Sequence, residues 1–149
     1  MLKKLAPLVW LLIIGTLFRL AISRSIYSGD LNNHVGWGAS IIRSGFGGAY
    51  DREYTGIMQP TYPPVALYAF STSVGFYDWL NDAIRQLNKQ FSVFPSGLVW
   101  WFEDQNTAPA FTKVIAIVSD VGVATLLYIF ARRFKASATI AWWVAALYF

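Results

Sequence analysis

The segment Pro63–Leu80, PPVALYAFSTSVGFYDWL, decides the fold. It is long enough to cross a bilayer, which takes about 20 mostly apolar residues. Ser71, Thr72, Ser73 and Gly75 nevertheless leave it only weakly hydrophobic. Whether it crosses fixes the number of spans and the side of the membrane on which the rest of the chain lies. The flanking sequence decides.

Two segments read plainly as spans. Leu5–Ser23, LAPLVWLLIIGTLFRLAIS, follows Lys3 and Lys4 and is interrupted only by Arg19 near its far end, where a long basic side chain can snorkel to the interface. A cleaved signal peptide, with AIS as the small-residue site before Arg24, is the rival reading. Arg19 among Leu, Phe and Ile fits such a peptide poorly. The second span, about 113–131, opens KVIAIVSDVGVATLLYIF and is broken once by Asp120. A third begins at about Ala136 and stops at Phe149 after 14 residues, too few to cross. The chain is therefore expected to be the N-terminal piece of a longer protein.

Basic residues beside spans stay on the cytoplasmic side. Lys3 and Lys4 mark one cytoplasmic end, and Arg132, Arg133 and Lys135 mark another. Two crossings connect these clusters, whereas three would put the second outside. Pro63–Leu80 is therefore expected to lie on or dip into the outer leaflet. Residues 24–112 then form one large external loop. Its five basic residues (Arg24, Arg43, Arg52, Arg85, Lys89) face seven acids (Asp30, Asp51, Glu53, Asp78, Asp82, Glu103, Asp104), an asymmetry that agrees with the assignment.

Composition points the same way. The 149 residues are 56% hydrophobic and 13% charged, where a soluble domain is about one quarter charged. With no cysteine, disulfides and thiolate metal sites are excluded. The net charge of +4 sits beside spans and not along one exposed face, which disfavours nucleic-acid binding. The expected class is an all-α membrane protein: two full transmembrane helices, the start of a third, and a large loop carrying juxtamembrane helices.

Inside the loop, Leu31, Val35, Ala39 and Ile42 recur at helical spacing after Asp30. The GFGG run at Gly45–Gly48 lacks the lysine and spacing of a phosphate loop and reads as a helix stop. Tyr62 precedes proline and is biased to extended backbone, while Pro63 and Pro64 suit the first turn of a new helix. WLNDAIRQLNKQF places Leu80, Ile84, Leu87 and Phe91 on one stripe, an amphipathic interfacial helix or a short helix packed on the rest of the loop. Trp100, Trp101 and Phe102 gather just before the next span, where aromatic rings favour the headgroup level.

The first span, the early Asp30, AYDREY, PTYPPVALY and KVIAIVSDVGVATLLYIFARRF together resemble the N-terminal module of GT-C class membrane glycosyltransferases. The likeness is to bacterial polyprenyl-phosphate-sugar-dependent, mannosyltransferase-like members and covers nearly the whole chain. It implies a multi-pass protein of the cell membrane, N-terminus cytoplasmic, acting in the cell envelope. Its partners would be membrane lipids, a polyprenyl-phosphate-sugar donor, and a glycan, lipid or protein acceptor. It also implies transfer of a hexose with inversion. The class carries a catalytic acid near the end of the first span, the position of Asp30. Some members pair such an acid with a second as Asp-x-Asp or Glu-Asp. No such pair accompanies Asp30, so a divalent metal stays open and no cofactor is assigned.

Glycosyl transfer needs a base for the acceptor hydroxyl and passes through an oxocarbenium-like state. Asp30 suits that role; it equally suits a helix N-cap bonding the amides of Asn32 or Asn33. His34, one turn on and on the same face, fits three roles: orienting Asp30, contacting a phosphate, or satisfying a loop hydrogen bond. Trp37 reads as a sugar-stacking platform or an interface anchor. Gln59 and Tyr62, beside the turn, are further candidates for the substrate cavity. Asp51, Arg52 and Glu53 read as a solvated turn. Within the spans, Arg19 and Asp120 lie at about 21 Å and about 17 Å from their cytoplasmic ends, heights that allow a structural ion pair. The alternative function is a non-catalytic membrane component, a transporter or assembly-factor fragment, whose loop binds a partner or lipid-linked glycan. A hydrolase or ligase of lipid-linked glycans would want a second carboxylate or histidine cluster, and only Asp30–His34 comes close.

Overall fold

A computed structural model describes residues 2–149, with side chains described from Ala6 onward. Its described residues form six α-helices and no strand. These are α1 (Leu2–Ser23), α2 (Gly29–Ser44), α3 (Pro64–Gln90), α4 (Ser96–Glu103), α5 (Thr107–Arg133) and α6 (Ala138–Tyr148). Two are long and apolar enough to cross a membrane: α1 through Ala6–Ser23, and α5. The chain divides into two compact units. One comprises the chain up to Ile22 together with Ala116–Phe149, the other Ser23–Ile115.

In the first unit, Leu8, Ala124, Tyr128, Ala141 and Ala145 form the core. Ala124, Ala141 and Ala145 are fully buried, because small side chains let helix backbones approach closely, as they do in membranes. Outward from this seam, α1 bares Val9, Trp10, Ile13, Ile14, Leu17 and Phe18. A helix apolar around most of its circumference requires an apolar surround. Between α5 and α6 the chain turns through Lys135 at φ 63°. Lys135 N–H donates to the Arg132 carbonyl at 3.2 Å and Ala136 N–H to that of Ala131 at 3.1 Å, the paired bonds of a Schellman motif with lysine in the usual glycine position. Ser137 then caps α6 through its hydroxyl, which accepts from Ile140 N–H at 3.2 Å.

Arg19 and Asp120 do form an ion pair in this unit. Asp120 also accepts from the Tyr148 hydroxyl at 3.0 Å. The Arg19 guanidinium in addition donates to the Phe149 carbonyl and lies 4.5 Å from the centre of that residue's ring.

The second unit is built on α2 packed against α3. At their crossing Gly38 brings the backbones so close that an added Cβ would stand 2.8 Å from the Phe70 carbonyl oxygen. The core there is Trp37, Ile41, Ala49 and Leu67, flanked by Phe46, Tyr54, Ile57 and Phe70. Two expectations need correction. The segment Pro63–Leu80 and the amphipathic stretch after it run on as one continuous 27-residue helix, Pro64–Gln90, because no glycine or proline occurs from Phe76 to Gln90. The helix holding the second apolar span begins at Thr107, ahead of the expected 113, with Pro109 accommodated in its first turn. Trp100–Phe102 belong to α4, whose Phe102 carbonyl accepts from the Tyr77 hydroxyl of α3 at 2.7 Å.

Candidate functional site

Ser28 occupies the N-cap of α2 with extended backbone (φ −136°, ψ 154°) and no side-chain cap bond. Asp30 is therefore inside the first turn and does not cap it, a correction to one of its two readings. Its side chain is exposed. The ion pairs among the described residues are Arg19–Asp120, Arg24–Asp104 and Arg85–Glu103, so Asp30 belongs to none. The first turn of a helix favours a carboxylate through the helix dipole.

One turn on, His34 is held in an aromatic enclosure. Its ring stacks on Phe70 at 4.1 Å between centroids and 10° between planes. Tyr62 meets it edge-on at 5.3 Å, and Trp37 is tilted against it at 5.7 Å. Nε2 is buried without a hydrogen-bond partner. Burial disfavours the imidazolium more than the nearby Asp30 charge favours it, so the pKa falls below the ordinary 6.5. At neutral pH His34 is a neutral imidazole beside an exposed carboxylate.

Trp37 is only 2% exposed, and its indole N–H donates to the Met58 carbonyl at 2.6 Å. No open face remains for a sugar, so its part here is to hold the fold. Asn33, one turn earlier, completes the clamp: its side-chain oxygen accepts from Met58 N–H at 3.0 Å. Both backbone polar groups of Met58 are thereby satisfied by a single helix face. Gln59 is exposed, but its amide donates to the Arg52 carbonyl at 2.9 Å. Tyr62, 41% exposed, is held by its backbone, whose carbonyl accepts from the Tyr50 hydroxyl at 2.7 Å. The structure thus gathers His34, Trp37 and Tyr62, adds Phe70, and sets Gln59 in the loop's own hydrogen bonding.

Arg52 is no solvated turn residue. It donates to the Ser40 hydroxyl at 2.7 Å and to the carbonyls of Gly45 and Gly47 at 3.1 and 3.0 Å. Longer bonds reach the Ser40 and Ser44 carbonyls. A guanidinium at the end of α2 answers carbonyls that no further turn of helix satisfies, and complements the negative end of the dipole. Gly45 at φ 72° terminates the helix, as the GFGG reading requires.

Two further basic residues, both missed in the sequence, fix the connector that leads to Asp30. Lys113 Nζ donates to the Ser23 and Ile26 carbonyls. Arg24 pairs with Asp104 at 3.0 Å and lies over the Trp101 ring at 4.5 Å. A tryptophan three residues before the acid is the one sequence signal that pointed to such a stack. Among the described residues, no three His, Asp or Glu side chains converge as a metal site would require.

Comparison with protein-family models, with curated proteins and with solved structures returns no match. What the fold defines is a class: a helical protein with two helices apolar enough to span a bilayer.

Proposed function

We propose that this chain belongs to an integral-membrane glycosyltransferase that moves a hexose from a polyprenyl-phosphate carrier to an acceptor hydroxyl on the non-cytoplasmic face. The observation that carries the reading is Asp30: an exposed carboxylate, outside the ion pairs among the described residues, in the first turn of α2 and a short connector beyond an apolar helix of spanning length. A polyprenyl phosphate keeps its chain in the leaflet and its phosphate at the headgroup level. The base must then stand near the end of a span.

In the proposed step the acceptor hydroxyl gives its proton to Asp30 as its oxygen bonds to the anomeric carbon. The bond from that carbon to the phosphate oxygen breaks on the opposite face, and the lipid phosphate leaves with the electron pair. Inversion follows from the single displacement. His34, neutral and one turn away, adds no charge beside the base.

Replacing Asp30 by Asn in the intact protein should lower transfer from a lipid-linked sugar by at least about 100-fold, the scale of a lost general base. Expression and membrane insertion should be unchanged. Turnover close to wild type would remove Asp30 from the chemistry.

A further inference from the structure

A depression of about 340 Å³ opens in the second unit, lined by Tyr27, Asn32, Gln105 and Asn106. Successive residues of a helix turn by about 100°, so Asn32 points away from the face that carries Asp30 and His34. The depression is thus a separate feature from the aromatic enclosure.

Three properties mark it as a binding site. First, none of its four side chains is used by the protein: among the described residues the Tyr27 hydroxyl and the Asn32, Gln105 and Asn106 side-chain amides make no hydrogen bond, Asn106 bonding through its backbone alone, N–H to Asp104 Oδ1 at 2.9 Å and carbonyl from Ala110 N–H at 3.1 Å. Second, its walls are cross-linked. One wall is the α1–α2 connector, the other the α4–α5 turn, and Arg24 of the first pairs with Asp104 of the second at 3.0 Å. Lys113 of α5 binds the Ile26 carbonyl, immediately before Tyr27. A ligand entering here meets walls already in place and has only the lining side chains to order. Third, the lining is polar yet uncharged. Each amide presents both a donor and an acceptor, and the phenol does the same with one hydroxyl.

This chemistry selects a ligand. An anion or cation finds no counter-charge among the lining groups. A neutral molecule with adjacent hydroxyls, each both donor and acceptor, matches the three amides, and its C–H face matches the Tyr27 ring. Small-molecule sites run from roughly 300 to 1,000 Å³, so the volume suits one ring and not a chain. We propose that this depression binds a neutral monosaccharide unit, with Asn32, Gln105 and Asn106 reading its hydroxyls.

The test is saturation-transfer NMR on the full chain in phosphocholine micelles, free of glycosidic detergent, with methyl α-mannoside and methyl α-glucoside as probes. Transfer to ring protons of at least one glycoside is expected. The double variant Asn32→Ala/Gln105→Ala should weaken it by about tenfold, as the loss of two hydrogen bonds requires. Gln105→Glu, which keeps the shape but removes a donor, should weaken it less. Asp30→Asn should leave it unchanged, so failure of the transfer reaction and failure of this site are told apart. No transfer to either glycoside in the wild type, or equal transfer in the double variant with helix content intact, overturns the proposal.

Discussion

Met58 shows how single side chains decide the shape of the loop after α2. Its N–H and C=O are both answered from that helix, by Asn33 and by Trp37. Replacing Trp37 with Phe keeps most of the buried ring but strands the carbonyl, at a cost of about 1–3 kcal/mol. A fall in the thermal unfolding midpoint of the detergent-purified chain checks this; an unchanged midpoint would mean that water replaces the indole. His34 gives the residue scale its pH dependence. Its pKa in the folded chain lies below the unfolded value near 6.5, so between the two values the unfolded chain binds more protons. Stability is then complete above about pH 6.5 and declines as pH falls through the folded pKa. His34→Phe should remove that decline from a series of unfolding midpoints taken between pH 7.5 and 5, while the wild type keeps it.

Helix ends and crossings carry the next level. Arg52 binds the last carbonyls of α2 and the turn after it. Its replacement by Ala should destabilise the second unit by about 1–2 kcal/mol, the upper range for a cation at a helix C-terminus. Amide hydrogen exchange should then accelerate first in Ile41–Ser44 and in the loop around Tyr54, with α5 little changed. Gly38 sets the α2–α3 crossing, and Gly38→Ala drives a methyl to 2.8 Å from the Phe70 oxygen. That forces the helices apart at about 1–3 kcal/mol, as overpacking does. Much at this level was legible. Apolar spacing marked α2, the Gly45–Gly48 run marked its end, where Gly45 takes φ 72°, and Tyr-Pro-Pro marked the approach to α3. The unbroken length of α3 was hidden because its first half is apolar and its second amphipathic, so the change of pattern read as a boundary although no breaker residue stands there. Arg52 was hidden for another reason: a capping guanidinium reaches back across a turn, and sequence spacing does not encode that reach. The candidate site was legible in its His34–Trp37–Tyr62 grouping. It was illegible in Phe70, which joins them only when α3 packs on α2, and in the burial that takes Trp37 from any ligand.

For the whole chain, the question is which side of the membrane the Ser23–Ile115 unit occupies. The basic clusters at Lys3–Lys4 and Arg132–Lys135 lie at the ends of the two helices long enough to cross, and α3 is not among the helices that pass that test. If the chain crosses twice, both clusters lie in the cytoplasm and everything between the spans outside. The chain contains no cysteine, so one introduced thiol reports alone. Gln90 ends α3 and is exposed, which makes Gln90→Cys a mild change. In intact cells a membrane-impermeant maleimide should label that variant, whereas a cysteine at Lys135 should react only after the membrane is opened. Lys135 holds a φ of 63°, so the cytoplasmic reporter is better placed at the neighbouring exposed Phe134 should the first variant express poorly. If α3 crossed as a third span, Phe134 and Gln90 would exchange roles: outside labelling at Phe134 together with protection at Gln90 would put Asp30 on an unchanged side but α4 and the Gln105–Asn106 turn on the opposite one. A third crossing would break the Arg24–Asp104 and Lys113–Ile26 contacts, because each needs both partners on one side of the bilayer. The labelling pattern therefore tests the two-span topology and these contacts together.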